Sequence, residues 1–358
     1  MKKVAFILNP ISGTGRKKTI LNYIEKVAAL HPEYAVEFYR TKCAGDACNA
    51  AKEFVAKGYD AVVAIGGDGT VNEVAEGLIN SGVKLGIIPV GSGNGLARHL
   101  NIPLNYQRAV DAVFEGRPQF IDAGKINGKV FFCTAGIGFD AVVGEKFNTS
   151  GTRGLMTYVE FCAKEYVKYR PEKYTIAMNG TRFASKAFLI TFANSSQWGN
   201  NAFIAPDANI SDGMMDVVVW KEAPRATMPF LTAELFLKTL KYSQFVDTYR
   251  CKELLIIREK EGLVQFDGES VMMGNELSLS VLHKAVEVIV PQGWKPLPQI
   301  IDMLPRYVKD MVPQQWKEIV PKLKDMVKLC TDVDAYLCYA YLGDVGDSVT
   351  GDKKAQKF

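Results

Sequence analysis

Two hydrophobic periods alternate along the first 115 residues, and this alternation restricts the possible folds more than any other feature of the chain. Apolar runs typical of buried strands are separated by segments whose apolar residues recur at helical spacing. The strand-like segments are KVAFIL, YAVEFYRT, YDAVVAIGG and VKLGIIPVG, and the helix-like segments are GRKKTILNYIEKVAAL, GDACNAAKEFVAKG and TVNEVAEGLINSG. The pattern predicts βαβ units and a mostly parallel sheet in an α/β domain over residues 1–122.

A different pattern follows Asp122. Asn-Gly pairs at 127–128 and 179–180 each lie between two apolar runs, which is a strong signal for a β-hairpin. Further strand-like runs are MDVVVW, LLIIR, LVQFDG, LSLSVL and VEVIV. We therefore predict a β-rich, largely antiparallel second domain over residues 123–292, interrupted by helical stretches at about 153–169 and 224–243.

Residues 293–358 show a third pattern. Apolar residues recur at helical spacing between 297 and 328, where prolines stand at 298, 305, 313 and 321. Because proline is tolerated at the first position of a helix, this stretch predicts appended short helices. Six basic residues stand against three acidic ones between 305 and 328. Two interpretations stay open: peripheral contact with a membrane, and the more common packing of an amphipathic helix on the protein body.

The composition excludes several classes of protein. The net charge is 43 − 39 = +4, without the concentrated basic stripe of a nucleic-acid-binding module. The seven cysteines are scattered and include no CxxC pair, which favours neither a disulfide framework nor a zinc site and fits a reducing, cytoplasmic compartment. No apolar run is long enough to span a membrane as a helix. We expect a cytoplasmic protein that contacts the inner membrane peripherally at most.

Three glycine-rich loops follow strands of the predicted parallel sheet, at 9–15, 66–70 and 89–95. Ligands of such sheets bind beyond the carboxyl ends of the strands, so these loops should meet at one edge. In Gly66-Gly67-Asp68-Gly69-Thr70 the glycines allow a close approach to a ligand, and the first amides of the next helix favour an anion. Asp68 could hold a cation beside phosphates, and Thr70 could cap the helix. Together the loops predict a phosphate cradle.

The motifs NPISGTG, GGDGTVNEV and PVGSGNGLARHL occur in the order and approximate spacing of the diacylglycerol kinase catalytic family, which the chain resembles over about residues 3–292. The resemblance implies an NAD kinase-like fold with the active site between the two domains. It also implies transfer of the γ-phosphate of ATP, with Mg²⁺, to the hydroxyl of a lipid substrate at the membrane surface. The lipid would be diacylglycerol or a sphingoid or ceramide-like molecule, and a homodimer is compatible with the sequence.

The resemblance further implies roles for individual residues. Glu269, in Asp267-Gly268-Glu269, would be the general base, and Asp68 and Asp122 would share a magnesium–water network. A structural magnesium would bind the Asp212 carboxylate and the carbonyl oxygens of Asn209 and Met214, although a turn is the more common role for such Asp-Gly sequences. Contacts with ATP are implied for Asn9, Thr41, Gly66, Gly67, Asp68, Gly69, Thr70, Asn72, Glu73 and Ser92.

One position departs from the family pattern. Many bacterial members have an aspartate directly after the asparagine of the third loop, where this chain has Gly95. Sphingosine- and ceramide-type kinases have a small residue there, so altered metal coordination and a sphingoid acceptor are both open. An NAD kinase-type phosphotransferase and a nucleotide- or lipid-binding pseudokinase are the alternatives to a lipid kinase. The 91–97 loop and the Asp267-Gly268-Glu269 motif favour the lipid kinase.

Overall fold

The computed structural model of the chain describes residues 1–12, 17–149, 155–199 and 201–293. The predicted helices at 297–328, the remainder of the appended segment after Gly293, and residues 13–15 of the first glycine-rich loop lie outside the described residues.

The first part of the chain alternates strands and helices as the hydrophobic periods predict. Its strands β1, β3 and β4 carry nearly continuous buried side chains, as expected where helices cover both faces of a sheet. The elements are β1 (Lys2–Leu8), α1 (Lys17–Ala28), β2 (Tyr34–Arg40), α2 (Asp46–Ala56), β3 (Ala61–Gly66), α3 (Asp68–Gly77), β4 (Lys84–Pro89), α4 (Gly95–His99) and α5 (Tyr106–Glu115). The four strands pair in parallel in the order β2-β1-β3-β4.

The second part is mainly antiparallel. Both predicted hairpins form, and their Asn-Gly turns adopt the positive φ angles that such two-residue turns require. The elements are β5 (Arg117–Ile126), β6 (Lys129–Phe131), β7 (Thr134–Gly138), α6 (Phe139–Thr149), α7 (Leu155–Lys168), β8 (Glu172–Met178), β9 (Thr181–Ala193), β10 (Met215–Lys221), α8 (Met228–Leu237), β11 (Val246–Cys251), β12 (Glu253–Arg258), β13 (Gly262–Phe266), β14 (Glu269–Met273) and β15 (Glu276–Val290), with 3-10 turns at Arg225–Thr227 and Leu240–Tyr242.

Strand β15 joins the two parts into one sheet. It pairs in an antiparallel manner with β12 and β5, and its Val288 lies beside Leu85 of β4 in parallel register. The main path of the sheet is β14-β13-β7-β9-β8-β12-β15-β4-β3-β1-β2. The fold class predicted from the sequence, a parallel α/β part followed by an antiparallel β-rich part, is therefore confirmed. Within the described ranges, no helix is both long enough and apolar enough to cross a membrane.

Two features of the second part differ from the sequence prediction. LSLSVL and VEVIV form one strand, β15, whose register against β5 shifts between Leu282 and Val286 at a bulge with Lys284 at φ 54°. The residues between these two runs do not show a strand pattern in the sequence, because a bulge interrupts the alternation of buried and exposed side chains. Helix α6 was also not predicted, since its apolar residues directly continue the strand-like run of β7.

Candidate active site

The second and third glycine-rich loops lie in contact with each other. A Cβ atom added to Gly91 would stand 2.6 Å from the Cα atom of Gly67, so neither backbone could approach the other with a side chain present. A Cβ atom on Gly66 would collide with the Thr70 side chain at 2.4 Å. Glycine is therefore required at 91 by the contact between the loops and at 66 by the Thr70 side chain.

Asp68 fastens these two loops together. Its Oδ2 accepts a hydrogen bond from the backbone N–H of Asn94 at 2.9 Å, and its Oδ1 accepts one from Gly95 at 2.7 Å. Burial raises the pKa of Asp68, and the two N–H groups oppose that rise because they stabilise the ionised form. Asn94 itself adopts a left-handed conformation and exchanges two hydrogen bonds with Gly91. The carboxylate thus lies inside the predicted phosphate cradle.

The first loop is tied to the second through side chains. Asn9 Nδ2 donates to Thr70 Oγ1 at 3.1 Å, and Asn9 Oδ1 accepts from the backbone N–H of Ile11 at 2.9 Å. Thr41 is buried at the end of β2, where its N–H donates to the Leu8 carbonyl at 3.0 Å. These predicted nucleotide contacts therefore converge at the carboxyl edge of the parallel strands, and exposed Ser92 lies on the adjacent third loop.

Glu73 is directed toward the start of α2. Its Oε1 accepts a hydrogen bond from the N–H of Gly45 at 2.9 Å, and its Oε2 accepts one from Ala47 at 3.0 Å. A carboxylate at this position satisfies N–H groups that have no partner within the helix and interacts favourably with the helix dipole. The contacts assign Glu73 to the support of the 41–47 segment, and its contact with ATP stays a prediction.

Asp267 anchors the turn of the predicted catalytic motif. Its carboxylate accepts hydrogen bonds from the N–H groups of Phe132, Cys133 and Thr134 at 2.7–2.9 Å and from the side-chain amide of Asn72. Burial raises the pKa of Asp267 to about 6, and these donors oppose the rise. Asn72 lies on α3, so this carboxylate holds the turn against the helix that follows the second loop.

Glu269 follows this turn and faces the second loop. Its side chain is 61% exposed, and its Oε2 lies 3.7 Å from Lys129 Nζ. A Cβ atom on Gly69 would stand 3.5 Å from Glu269 Oε1, so the carboxylate approaches the first turn of α3. The structure thus brings Glu269 beside Gly69 of the second loop, which is far from it in the sequence. An exposed carboxylate beside a helix N-terminus can accept a proton from a group held there.

A pocket lies between the first turn of α3, the third loop and the β6–β7 junction. Its polar lining comes from residues already described, including Asp68 and Asp267, and its other walls are apolar. The lining residues are Asp68, Val71, Asn72, Ile87, Pro89, Asn94, Leu96, Ala97, Phe132, Cys133 and Asp267.

Asp122 lies in a different environment from the one expected. It is fully buried, and its carboxylate accepts hydrogen bonds from the N–H of Gly213 at 2.6 Å, from His283 Nδ1 at 2.8 Å and from the N–H of Lys284 at 2.7 Å. These contacts direct it toward the 209–214 loop and the bulge of β15. Asp122 thus holds the 209–214 loop to the sheet, and its share in a magnesium network with Asp68 stays a prediction.

The 209–214 loop, where the sequence predicts a structural magnesium, is held by contacts within the protein. The Asp212 carboxylate forms an ion pair with the Arg250 guanidinium, and its Oδ1 accepts from the N–H of Met214 at 3.0 Å. Asn209 Oδ1 accepts from the N–H of Ser211 at 3.1 Å. Among the described residues, no group of three or more His, Cys, Asp or Glu side chains is arranged to hold a metal. The Asp212 carboxylate thus has a guanidinium partner in this structure, and the magnesium site at Asp212, Asn209 and Met214 stays a prediction.

The segment at 194–199 was not predicted from the sequence. It contacts the end of α4, the short helix that follows the third loop. Asn194 Nδ2 donates to the Asp122 and Phe132 carbonyls, both at 2.8 Å. His99, at the end of α4, accepts the N–H of Ser196 at Nδ1 at 3.1 Å. Burial lowers the pKa of His99 to about 4, so the ring is neutral and Nδ1 can accept. The buried polar run Asn-Ser-Ser-Gln directly after a strand was the available signal.

Comparison with known proteins matches both parts of the chain to known families. Residues 3–126 match the family model of the diacylglycerol kinase catalytic domain, and residues 133–290 match that of the YegS C-terminal NAD kinase beta sandwich-like domain. The chain is 36% identical over 235 residues to a diacylglycerol kinase of Bacillus subtilis (strain 168), covering 62% of this chain and 75% of the relative.

Two further relatives are matched over nearly their whole length. A diacylglycerol kinase of Mycobacterium tuberculosis is 30% identical over 299 residues, which cover 81% of this chain and 96% of the relative. The crystal structure of a diacylglycerol kinase from Bacillus anthracis superimposes with a TM-score of 0.67 at 25% identity, covering 82% of this chain and 98% of the other. The chain therefore belongs to the diacylglycerol kinase family of lipid kinases.

Proposed function

We propose that this enzyme transfers the γ-phosphate of ATP to the free hydroxyl of diacylglycerol, with Glu269 as the general base. The observation that carries the proposal is the approach of the exposed Glu269 carboxylate to Gly69 at the start of α3. The acceptor is proposed to be diacylglycerol because the curated relatives are diacylglycerol kinases.

The nucleotide phosphates would lie at the N-terminus of α3. The first backbone N–H groups of a helix have no partner within it, and the helix dipole favours an anion there. The contacts of Asn9, Thr41 and Thr70 hold the neighbouring loop ends in place. The nucleotide is proposed to contact this edge through Gly66–Asn72 and Ser92.

Magnesium, when bound, would neutralise the negative charge of the ATP phosphates during the transfer. Asp68 is the residue in the cradle that fits this role, because each of its oxygens accepts one N–H and keeps lone-pair capacity. Magnesium commonly takes one or two carboxylates together with phosphates and waters, so a sparse protein donor set fits it.

The transfer step requires one proton acceptor. The lipid hydroxyl oxygen forms a bond to the γ-phosphorus, the bond from that phosphorus to the bridging oxygen of ADP breaks, and the hydroxyl proton moves to the Glu269 carboxylate. Lys129 contacts that carboxylate and lies 5.5 Å from the centre of the Phe266 ring, which restrains the position of the base.

The test is a radiolabel assay with ATP and dispersed diacylglycerol. Glu269→Gln should lower kcat about 10²–10⁴-fold, the usual contribution of a general base, with ATP affinity unchanged. Glu276→Gln, an exposed glutamate at the start of β15, is the matched control and should keep wild-type turnover. Binding of ATP without labelling of any lipid would support the pseudokinase alternative, and labelling of NAD alone would support an NAD kinase-type enzyme.

Truncation after Gly293 distinguishes the two interpretations of residues 297–328. If they contact the membrane, the shortened chain should bind anionic vesicles more weakly with an unchanged unfolding temperature. If they pack on the protein body, vesicle binding should be unchanged and the unfolding temperature should fall.

A further inference from the structure

Polar contacts hold the two residues that flank Glu269, one contact from β13 and one from the first turn of α6. Gln265 Oε1 accepts a hydrogen bond from the N–H of Gly268 at 3.0 Å, directly before the proposed base. Ser270 Oγ, directly after it, donates to the carbonyl of Ala141 at 3.1 Å. We infer that Asp140 and Gln265 are positioning residues for Glu269, an inference that rests on the proposed role of Glu269 as general base.

Asp140 is built into the sheet surface beside Gln265. A Cβ atom added to Gly136 would stand 2.0 Å from Asp140 Oδ2, so the carboxyl lies directly on this glycine of β7. Gln265 is the residue opposite Gly136 on the neighbouring strand β13. Residues directly opposite in an antiparallel pair present side chains on the same face about 5 Å apart, which places the Gln265 side chain next to the carboxyl.

Only one oxygen of the Asp140 carboxyl accepts a backbone hydrogen bond, and the other is available to the Gln265 side chain. The side chain is 7% exposed, and its Oδ1 accepts the N–H of Ala141 at 2.8 Å. Its Oδ2 has no partner at hydrogen-bond distance among the described residues. A buried oxygen without a full hydrogen bond costs about 1–3 kcal/mol, so its presence beside the turn points to a role other than stability.

The two ends of the Gln265 amide have different requirements. Its oxygen must face Gly268 to accept the N–H, so its NH₂ group faces away from the turn. An ionised carboxylate only accepts hydrogen bonds, so at pH 8, above the Asp140 pKa of about 7, Asp140 favours this orientation of the amide over the flipped one. The orientation matters because Asp267 and Gly268 both have positive φ angles, 48° and 95°, and the turn that they form directs Glu269.

Gln265→Leu tests the first link. It removes the acceptor for the Gly268 N–H, and kcat for lipid phosphorylation should fall about 10-fold or more while the affinity for ATP is unchanged. In the Glu269→Gln background the same substitution should cause no further loss, because the two residues act through one step. Gln119→Leu, at a partly buried glutamine on β5, is the matched control.

An exchange of the two functional groups tests the second link. Gln265→Glu alone places two carboxyl groups side by side and should lower kcat at pH 8. Adding Asp140→Asn supplies an amide that donates to one oxygen of the new glutamate, while its other oxygen accepts from Gly268. The double variant should recover to within a few-fold of wild type, and it keeps the inference testable if Gln265→Leu fails to fold.

Three results would overturn the inference. Equal losses from Gln265→Leu with and without Glu269 would show that Gln265 acts on the fold or on the nucleotide site. Failure of the double variant to recover activity would remove Asp140 from the link. Full activity of Gln265→Leu beside an inactive Glu269→Gln would reject the positioning role alone, whereas full activity of Glu269→Gln would reject the proposed base itself.

Discussion

The stability of this protein should vary with pH through the buried carboxyl group of Asp140. Burial raises the pKa of Asp140 from 3.8 to about 7, because the loss of hydration outweighs the backbone N–H groups and the nearby Gln265 side chain that favour the ionised form. The folded protein therefore holds the proton more tightly than the unfolded chain. The stabilisation is fully present below about pH 4 and is lost as the pH rises through about 7.

The size of the effect follows from the two pKa values. Each pH unit between them corresponds to 1.36 kcal/mol, so the free energy of unfolding should fall by up to about 4 kcal/mol across this range. The amide introduced by Asp140→Asn cannot titrate. The substitution changes the free energy of unfolding by the same amount at every pH, so only the slope of the difference between variant and wild type reports the titration of Asp140. Asp216 and Asp267, whose pKa values burial raises to about 6, titrate in both proteins and cancel too.

The assay is urea unfolding of wild type and Asp140→Asn over a series from about pH 4 to about pH 8. The variant should gain stability relative to wild type as the pH rises, by up to about 4 kcal/mol in the free energy of unfolding. Asp60→Asn, an exposed carboxyl group, is the control and should show no such gain. Parallel curves for wild type and Asp140→Asn would show that the buried carboxyl is ionised throughout, and the reasoning from burial would be refuted.

Three other predictions test the cradle and its supports. Gly93→Ala should weaken ATP binding, because its Cβ atom would stand 2.8 Å from Asp68 Oδ2. Gly95→Ala should retain ATP binding, because the nearest atom to its Cβ would be 3.6 Å away. Calorimetry measures both affinities for ATP, and equal affinities would contradict the contact geometry. Glu73→Leu should lower the free energy of unfolding by about 1–3 kcal/mol, because two backbone N–H groups lose their acceptor, and an unchanged urea midpoint would exclude this. EDTA should leave the unfolding temperature of the nucleotide-free protein unchanged if Arg250 is the cation that pairs with Asp212, and a clear fall would show that a metal holds the loop.

The parallel part of the fold could be predicted from local pattern because its determinants are local. Strands such as β3 are apolar at every position and helices such as α2 are apolar on one face, so each residue reports its own environment. The same reasoning located the glycine-rich loops, since they follow those strands. It could not show that Gly67 and Gly91 touch, because that contact depends on how two neighbouring strands end.

The long-range contacts of the aspartates were beyond local pattern. The donors to Asp122 come from the 213 turn and from a bulge at 283–284, and a bulge leaves no periodic signal. Asp267 likewise receives its donors from the β6–β7 junction, which pairs with β13 only in the folded sheet. Resemblance to a family could name these residues as important, but only the contacts separate loop anchors from a candidate base.

That separation is physical. Asp68, Asp122 and Asp267 each accept two or more backbone N–H bonds, and moving any of them toward a substrate hydroxyl would break bonds worth about 0.5–1.5 kcal/mol each and more for a charged acceptor. Glu269 is mostly exposed and contacts an ammonium group at 3.7 Å in the described part of the chain. A general base must be able to reach the proton of the lipid hydroxyl and then release that proton to solvent. Of the four carboxyl groups, Glu269 alone meets both conditions without unfastening a loop.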